Sequence, residues 1–592
     1  MKSRVRYKVM DQSSFADMLV YAKLPPHPFW SNVEQKIDFS FADSLCSVLY
    51  SGQGQRPYAP SLKLKIHLIQ LYYDLSDRQV EEKIIGDLFI KRFLGLSVDF
   101  FGFDHSTIGL DRSRMGQPMF QACHLYVLAQ LHNYGLWGDQ GEHWIIDSFP
   151  TEVGLPRVSA YRLIQKAMVH LVQQLKRQHK DLYSRAQKEC DLDAMTHRPV
   201  KGAPPSEWLL AFSKLVAQAY ALLQWLAHKD VKDAIAASDP REQDEHRLAH
   251  HQNLLQQILT ENARLVESPS QEDAGEPPTG TPLAGSSAET MSMDTAEATP
   301  APAAPVNATP DDDVPVASEE DAIRYTKIPI KQRDANRIVS VTHPDARMGK
   351  KNKFTVIQGF KTQNLISTTG IILGTRVIPA TEHDRDAMVE MVKEVRAFMG
   401  LSPKAVIGDT AYGLGKQRTA MKQEGIDLVA PLPKSSNPTG LYDHAQFRYD
   451  TEQDRFICPA EQHTKRKRAN PQLEGTQYYF AKKTCAACPL REACTTNKDG
   501  RSVFRSDYVE LYEAAALYNE SEEGKAVYRK RSRVEQKNHE LKNHCGLDKT
   551  ESRSIETIEI KAKMAAIAVN LKHMIRVLIH PRPGFIRRPQ MS

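Results

Sequence analysis

The chain reads as a mixed α/β protein, a sheet flanked by helices and interrupted by inserted segments. Three observations predict this. Apolar runs of strand length lead into an acid twice, in HWIIDSFPTEV and in KAVIGDTAYG. Two β-rich runs around the Thr-Thr-Gly of KFTVIQGFKTQNLISTTGIILGTRVIPA form a hairpin pattern. Stretches of helical period lie between and after them, at DRDAMVEMVKEVRAFMG, LGKQRTAMKQEG and AVYRKRSRVEQKNHELK.

Taken in order, residues 1–116 read as a helical N-terminal module. Leu64, Leu68 and Leu71 fall on one helical face, and Ser76 with Gln79 forms a capping box for the next helix. A short helix follows at DHSTIGLDRSRMG, with Asp104 or Ser106 as N-cap and Arg112 and Arg114 beyond. Short capped helices joined by tight turns suit a helix-turn-helix, with Arg112 and Arg114 as DNA contacts; a small helical packing module suits the same pattern. Residues 140–153 hold a first buried strand that ends at Asp147. Residues 157–266 return to helical period in a helical insertion, with Leu163, Ile164, Met168, Leu171 and Leu175 in one stripe and Leu209, Phe212, Leu215, Val216 and Leu223 in another. Residues 267–323 are Pro/Ala/Ser/Thr-rich, acidic and poor in aromatics, the composition of a disordered linker. Residues 335–430 supply the hairpin, a helix ending at Gly400, the strand before Asp409, a second helix and the strand IDLVAP. A Cys-containing insertion spans 431–505, long C-terminal helices 506–580, and a tail 581–592. This order of elements matches a ribonuclease H-like core.

At 592 residues the chain exceeds the size at which one core keeps growing, so two or more domains, or one with large insertions, are expected. Hydrophobic residues at 41% and charged residues at 25% exclude a disordered or fibrous chain. No run of 18 uncharged apolar residues occurs, and the segment MKSRVRYKVMDQSSF has no apolar stretch behind its basic start. A cytoplasmic location without membrane partners is expected. Eight cysteines, unevenly placed, do not make a disulfide framework. The net charge of +6 hides an asymmetry: Leu265 to Asp321 holds 13 acids and no Lys or Arg, which leaves +19 on the remainder. A positive body points to a polyanion, although a ribosomal or membrane-surface protein has a similar balance.

Asp147 and Asp409 each follow an apolar strand, a place where α/β sites are built and also one where Asp merely caps a turn. The third acid comes from the helix pattern of 526–542. Tyr528, Arg531, Glu535 and Lys542, offset by 0, 3, 7 and 14 positions, fall on a stripe about 60° wide at 100° per residue. A solvated charged face pairing Glu535 with Arg531 explains part of this. A carboxylate joining two others at strand ends can complete a site for two Mg²⁺ or Mn²⁺ ions, with the flanking cations and phenol facing phosphate.

The spacing Tyr-x2-Arg-x3-Glu-x6-Lys, with Asp147 in Ile-Ile-Asp-Ser-Phe and Asp409 in Gly-Asp-Thr-Ala-Tyr-Gly, resembles that of bacterial insertion-sequence transposases with an Asp-Asp-Glu site. HPDARMGKKNKFTVIQGFKTQ is similar to the family's central strand region, and RPYAPSLKLKIHLIQLYYDLSDRQVEEKI with DHSTIG to its N-terminal domain. The resemblance covers roughly 1–153 and 335–580; the acidic segment departs from the pattern without touching the acids. It implies Mg²⁺ or Mn²⁺ ligation by Asp147, Asp409 and Glu535, cleavage at element ends and joining of the 3′-OH to target DNA. It further implies that Tyr528, Arg531 and Lys542 contact double-stranded DNA, and that a homodimer synapses two terminal repeats. A DNA-binding protein that has lost cleavage and a nuclease that only hydrolyses are the rival readings.

Cys458, Cys485, Cys488 and Cys494 lie within 37 residues, and Cys485-x2-Cys488 has zinc spacing. They are candidate ligands of a structural Zn²⁺; free thiols in a packed insertion are the alternative, since Cys494 follows after five residues rather than two. The adjacent run Lys465, Arg466, Lys467 and Arg468 suits either DNA backbone or solvent. Asp384, just before a helix, reads as an N-cap rather than a metal ligand.

Overall fold

The structure is a computed structural model that describes residues 5–10, 12–51, 54–102, 104–139, 141–156, 158–237, 242–266, 324–351, 354–433 and 440–579. The expected linker 267–323 and the whole of the tail 581–592 therefore lie outside the described residues. The chain divides into two compact units, Met1–Pro156 with Thr342–Ser592, and Arg157–Val341.

In the first unit the helix α1 (Pro60–Tyr73) starts on a proline, which needs no amide partner there. It buries Leu64, Leu68 and Leu71. Helix α2 (Asp77–Gly86) opens with the expected capping box, Ser76 accepting from the Gln79 amide and Gln79 from the Ser76 amide. Helix α3 (His105–Asn133) is capped by Asp104, not Ser106, and breaks at Gly116, whose φ of 66° is non-helical. Pro118 explains the break, since its ring excludes helical backbone before it and it offers no amide to the ladder. The expected end of the short helix at 116 is this kink, and the chain then resumes a helix that continues to Asn133.

Strand β1 (His143–Glu152) lies at the centre of a mixed sheet. It is followed in this unit by β2 (Arg347–Lys350), β3 (Val356–Ser367), β4 (Ile372–Pro379), helix α4 (Asp384–Met399), β5 (Ala405–Ile407), helix α5 (Gly415–Gln423) and β6 (Asp427–Val429). The order is β4-β3-β1-β5-β6, with β2 against the first residues of β3. β3 runs antiparallel to β1 and β4, while β5 and β6 run parallel to β1. After five short strands between Arg448 and Ser506, the chain enters helices α6 (Glu522–Arg529), α7 (Ser532–His544) and α8 (Ile555–Ile579). Helix α8 packs on β4, where buried Asn570 accepts from the Ile372 amide at 2.7 Å and donates to its carbonyl at 2.8 Å. Its other neighbours include α1 and α3, so the N-terminal helices and the sheet share one core.

The second unit is built on the helices Ala160–Gln178, Pro205–Ala227 and Glu242–Asn262. The two apolar stripes meet in its core, Leu163, Ile164, Met168, Leu171 and Leu175 with Phe212, Leu215 and Val216, and Leu223 partly buried beside them. Pro205–Ala227 is long and apolar enough to cross a membrane by length and composition, yet half of its apolar window is buried within the fold. Strands Ala263–Leu265 and Tyr325–Lys327 pair antiparallel, and the Val266 amide donates to the Arg324 carbonyl at 2.9 Å.

A candidate active site at the end of the parallel strands

The register of the sheet brings two of the expected acids together. Ile145 on β1 pairs with Ile407 on β5, the last residue of that strand, so Asp147 and Asp409 stand at the same level two residues further on. Asp147 does not end its strand, as the sequence suggested. β1 continues to Glu152 because Ser148–Glu152 pair with Gly359–Gln363 of β3, and Pro150 is tolerated where β5 no longer pairs with the other edge. Asp409 does stand beyond its strand, as N-cap of a single turn at Thr410–Tyr412, where its Oδ1 accepts from the Ala411 amide at 2.9 Å.

Glu535 lies in the first turn of α7, and a bridge from Glu152 to Lys549 ties the chain after α7 to the far end of β1. The expected single helix carrying Tyr528 and Glu535 is two helices. Lys530 and Arg531 form a joint in which the Arg531 amide bonds to Tyr528 O and the Val534 amide to Arg531 O, three residues back rather than four. Like charges in Arg529-Lys530-Arg531-Ser532-Arg533 disfavour an unbroken helix there. The straight stripe of four residues is therefore replaced by a convergence at the joint.

Arg531 is the hub of that convergence. Its Nη2 lies 3.1 Å from Asp147 Oδ1 and its Nη1 3.0 Å from Glu535 Oε1. Burial opposes the charge of Arg531, yet Asp147, Tyr528 and Asp409 hold its pKa above the ordinary value. Burial pushes the Asp147 carboxyl up, Asp409 adds to the rise, and Arg531 opposes it. The half-buried Tyr528 phenol is raised by burial and by Asp409, Asp147 and Glu535, with Arg531 opposing. Phenol, guanidinium and three carboxylates thus occupy one electrostatic neighbourhood. Lys542 lies seven residues beyond Glu535 on α7, and no ion pair joins it to the acids among the described residues.

Several groups that the sequence pattern missed complete the site. Asn538 donates to Asp147 Oδ2 at 3.0 Å and accepts from Asn364 Nδ2 at 2.8 Å, and Asn364 is the cross-strand partner of Asp147. A signal existed, since Asn538 follows Glu535 by one helical turn. Asp384 is not an N-cap: His383 takes that position, and Asp384 Oδ2 accepts from Ser148 Oγ at 2.9 Å while Oδ1 pairs with Lys361 Nζ at 2.6 Å. Burial, with Asp384, Asp147 and Asp409 nearby, holds the Tyr412 phenol well above its usual range.

The expected DNA contacts of the N-terminal helices divide. Arg112 is engaged internally, with Nη2 2.5 Å from Asp77 Oδ2 and Nη1 3.1 Å from Gln70 Oε1, so it ties α3 to α1 and α2 instead of facing solvent. Arg114 is exposed, with its guanidinium 5.4 Å from the centre of the Tyr50 ring. In the basic run, Lys467 pairs with Asp454 and Arg466 lies over Tyr479.

The acids fit a divalent cation in chemistry, being oxygen donors alone, the set preferred by hard ions such as Mg²⁺ or Mn²⁺. In geometry, no three His, Cys, Asp or Glu side chains among the described residues surround a common metal position. Arg531 bridges two of the acids and supplies the positive charge that carboxylates at this separation need.

Residues 329–571 match the family model of the transposase DDE domain, and residues 19–114 that of the transposase domain (DUF772). Asp409 and Glu535 lie within the first match and Asp147 outside both. No curated protein and no solved structure matches the chain. By the two domain matches, one over the N-terminal helices and one over the sheet and the helices that follow it, the chain belongs to the insertion-sequence DDE transposases.

Proposed function

We propose that this transposase cuts double-stranded DNA at the terminal repeats of its element and joins the released 3′-OH ends to target DNA. Asp147, Asp409 and Glu535 would hold two Mg²⁺ or Mn²⁺ ions. The observation that carries the reading is Arg531, whose one guanidinium contacts Asp147 and Glu535 and responds to Asp409, although the first pair lies 384 residues apart in sequence. The strand order supports a ribonuclease H-like core: third, second, first, fourth and fifth principal strands, with the second antiparallel.

When bound, the ions supply Lewis-acid stabilisation of the entering and leaving oxygens of an in-line phosphoryl transfer. Asn538, itself held by Asn364, donates to Asp147 and so restrains the orientation of its carboxylate. Arg531 and Lys542 contribute positive charge for the DNA backbone, and Tyr528 a hydroxyl or a ring face for a displaced base. A homodimer that synapses two element ends and a cytoplasmic location belong to the same reading.

Glu535→Gln tests it. The variant is expected to lose cleavage of element ends while retaining DNA affinity within a few-fold, since a ligand is lost and the backbone contacts remain. Parallel loss of binding and cleavage refutes the assignment. With pre-cut ends, joining separates a transposase from a hydrolytic nuclease.

A further inference from the structure

The insertion between β6 and α6 has a core too small for its length. It consists of β7 (Arg448–Asp450) paired with β8 (Arg455–Ile457), and a sheet of β9 (Arg466–Asn470), β10 (Gly475–Tyr479) and β11 (Ser502–Ser506). Its buried apolar residues are Phe447, Phe456, Tyr478, Phe480 and Val503, with Cys458, Cys485 and Cys494 packed against them. Modules with so few buried side chains are ordinarily held by disulfides or a metal. All four cysteines of the insertion are free thiols.

These thiols converge. Cys458, Cys485, Cys488 and Cys494 line one cavity of about 30 Å³, together with Arg491 and Arg501. A single water needs about 10–15 Å³, so the space suits a small ion once the sulfurs close on it. The backbone is shaped around them as well. Cys458 begins a tight turn in which its amide donates to Gln462 O at 2.8 Å and Glu461 takes a φ of 53°. The Cys488 amide donates to Cys485 O, and the Arg501 amide to Cys485 Sγ at 3.5 Å. Gly500, at φ 94°, lets that strand approach, since a Cβ there would lie 3.2 Å from Cys485 Sγ.

Cationic side chains also stand beside the four sulfurs. Arg501 is fixed beside them by its bonds to Cys494 O at 3.1 Å and Tyr442 O at 2.7 Å, and its Nε is buried without a partner among the described residues.

We propose that Cys458, Cys485, Cys488 and Cys494 bind one structural Zn²⁺ ion in a four-thiolate site that holds the insertion together. The site is separate from the three acids and does not rest on their role. No three of the sulfurs already stand at metal-ligand geometry, so binding draws them inward to Zn–S distances of about 2.3 Å, with release of the thiol protons. The five-residue helix Lys482–Ala486 and the four-residue helix Arg491–Cys494, which carry Cys485 and Cys494, are short enough to shift as that happens.

Full-length protein, purified reduced and dialysed to remove loose metal, is expected to retain about one zinc per chain by elemental analysis. Loading with Co²⁺ should give sulfur-to-cobalt charge-transfer bands and the visible spectrum of a tetrahedral ion. Cys488→Ser and Cys494→Ser should each lower retained zinc at least several-fold. Should these variants not fold, zinc must still slow alkylation of the four thiols in the wild-type chain, mapped by mass spectrometry, while leaving Cys190 in the other unit unaffected. Wild-type protein without zinc and without a cobalt–thiolate band, full retention by both folded variants, or equal alkylation with and without zinc would each overturn the proposal.

Discussion

Asp147 carries a cost at neutral pH. Burial raises its pKa, and Asp409 adds to the rise. A carboxyl whose folded pKa lies above its unfolded value contributes stability below about pH 4, where it is protonated in both states. That contribution is lost as pH rises through the raised folded value. Asp147→Asn keeps an oxygen for Arg531 or Asn538 to donate to and removes the charge, so it should raise stability at pH 7 by on the order of 1 kcal/mol. The gain should shrink as pH falls toward 4. Urea melts of both proteins at the two pH values check this, and a variant less stable than wild type at pH 7 would refute it. Arg531 makes the complementary prediction. It is the built-in cation of the site, paired with Asp147 and Glu535. In Arg531→Ala the acids lack that compensation, and added Ca²⁺, which occupies carboxylate sites, should raise the melting temperature more than it does in wild type. Equal shifts would mean that the guanidinium and the ion do not share the acids.

The joint between α6 and α7 sets the positions of Tyr528 and Glu535, and its placement depends on one close approach. Gly524 packs against the end of the preceding helix, Val509–Glu520, so that a Cβ would collide with the Tyr518 carbonyl. Gly524→Ala should therefore cost about 1–3 kcal/mol, the range for overpacking, and lower cleavage by moving the joint. Unchanged thermal stability would show that α6 has room to shift. Elements of this kind divide by how local their causes are. The α2 capping box, the β3–β4 hairpin and the strand before Asp409 depend on neighbouring residues, and all were legible in the sequence. The length of β1 was not, because its second half is extended only by pairing with Gly359–Gln363, about two hundred residues away. Asn538 was missed for a related reason, since its importance comes from Asp147 and Asn364, brought beside it by the sheet. The pairing of Arg112 with Asp77 was not legible, because basic composition does not reveal an internal partner.

At the scale of the whole chain the dominant feature is the separation of charge. The net charge is +6, yet residues 267–323 carry 13 acids and no Lys or Arg, so the rest carries +19. On the proposed function, an acidic segment on the same chain as a basic body that binds DNA should compete with DNA for that body at a high effective concentration. The two ends of the segment lie together, with Leu265 opposite Tyr325 and the Val266 amide bonded to Arg324 O. An Asn-Gly turn can thus replace 267–323 without disturbing the flanking strands. The shortened protein should bind non-specific duplex DNA several-fold more tightly at low salt. The difference should fade above about 0.3 M salt, where the Debye length falls below about 6 Å. A salt series of binding isotherms for both proteins checks it. Equal affinity at low salt would mean that the acids do not face the surface used for DNA, and a difference that persists undiminished at high salt would point to a cause other than charge.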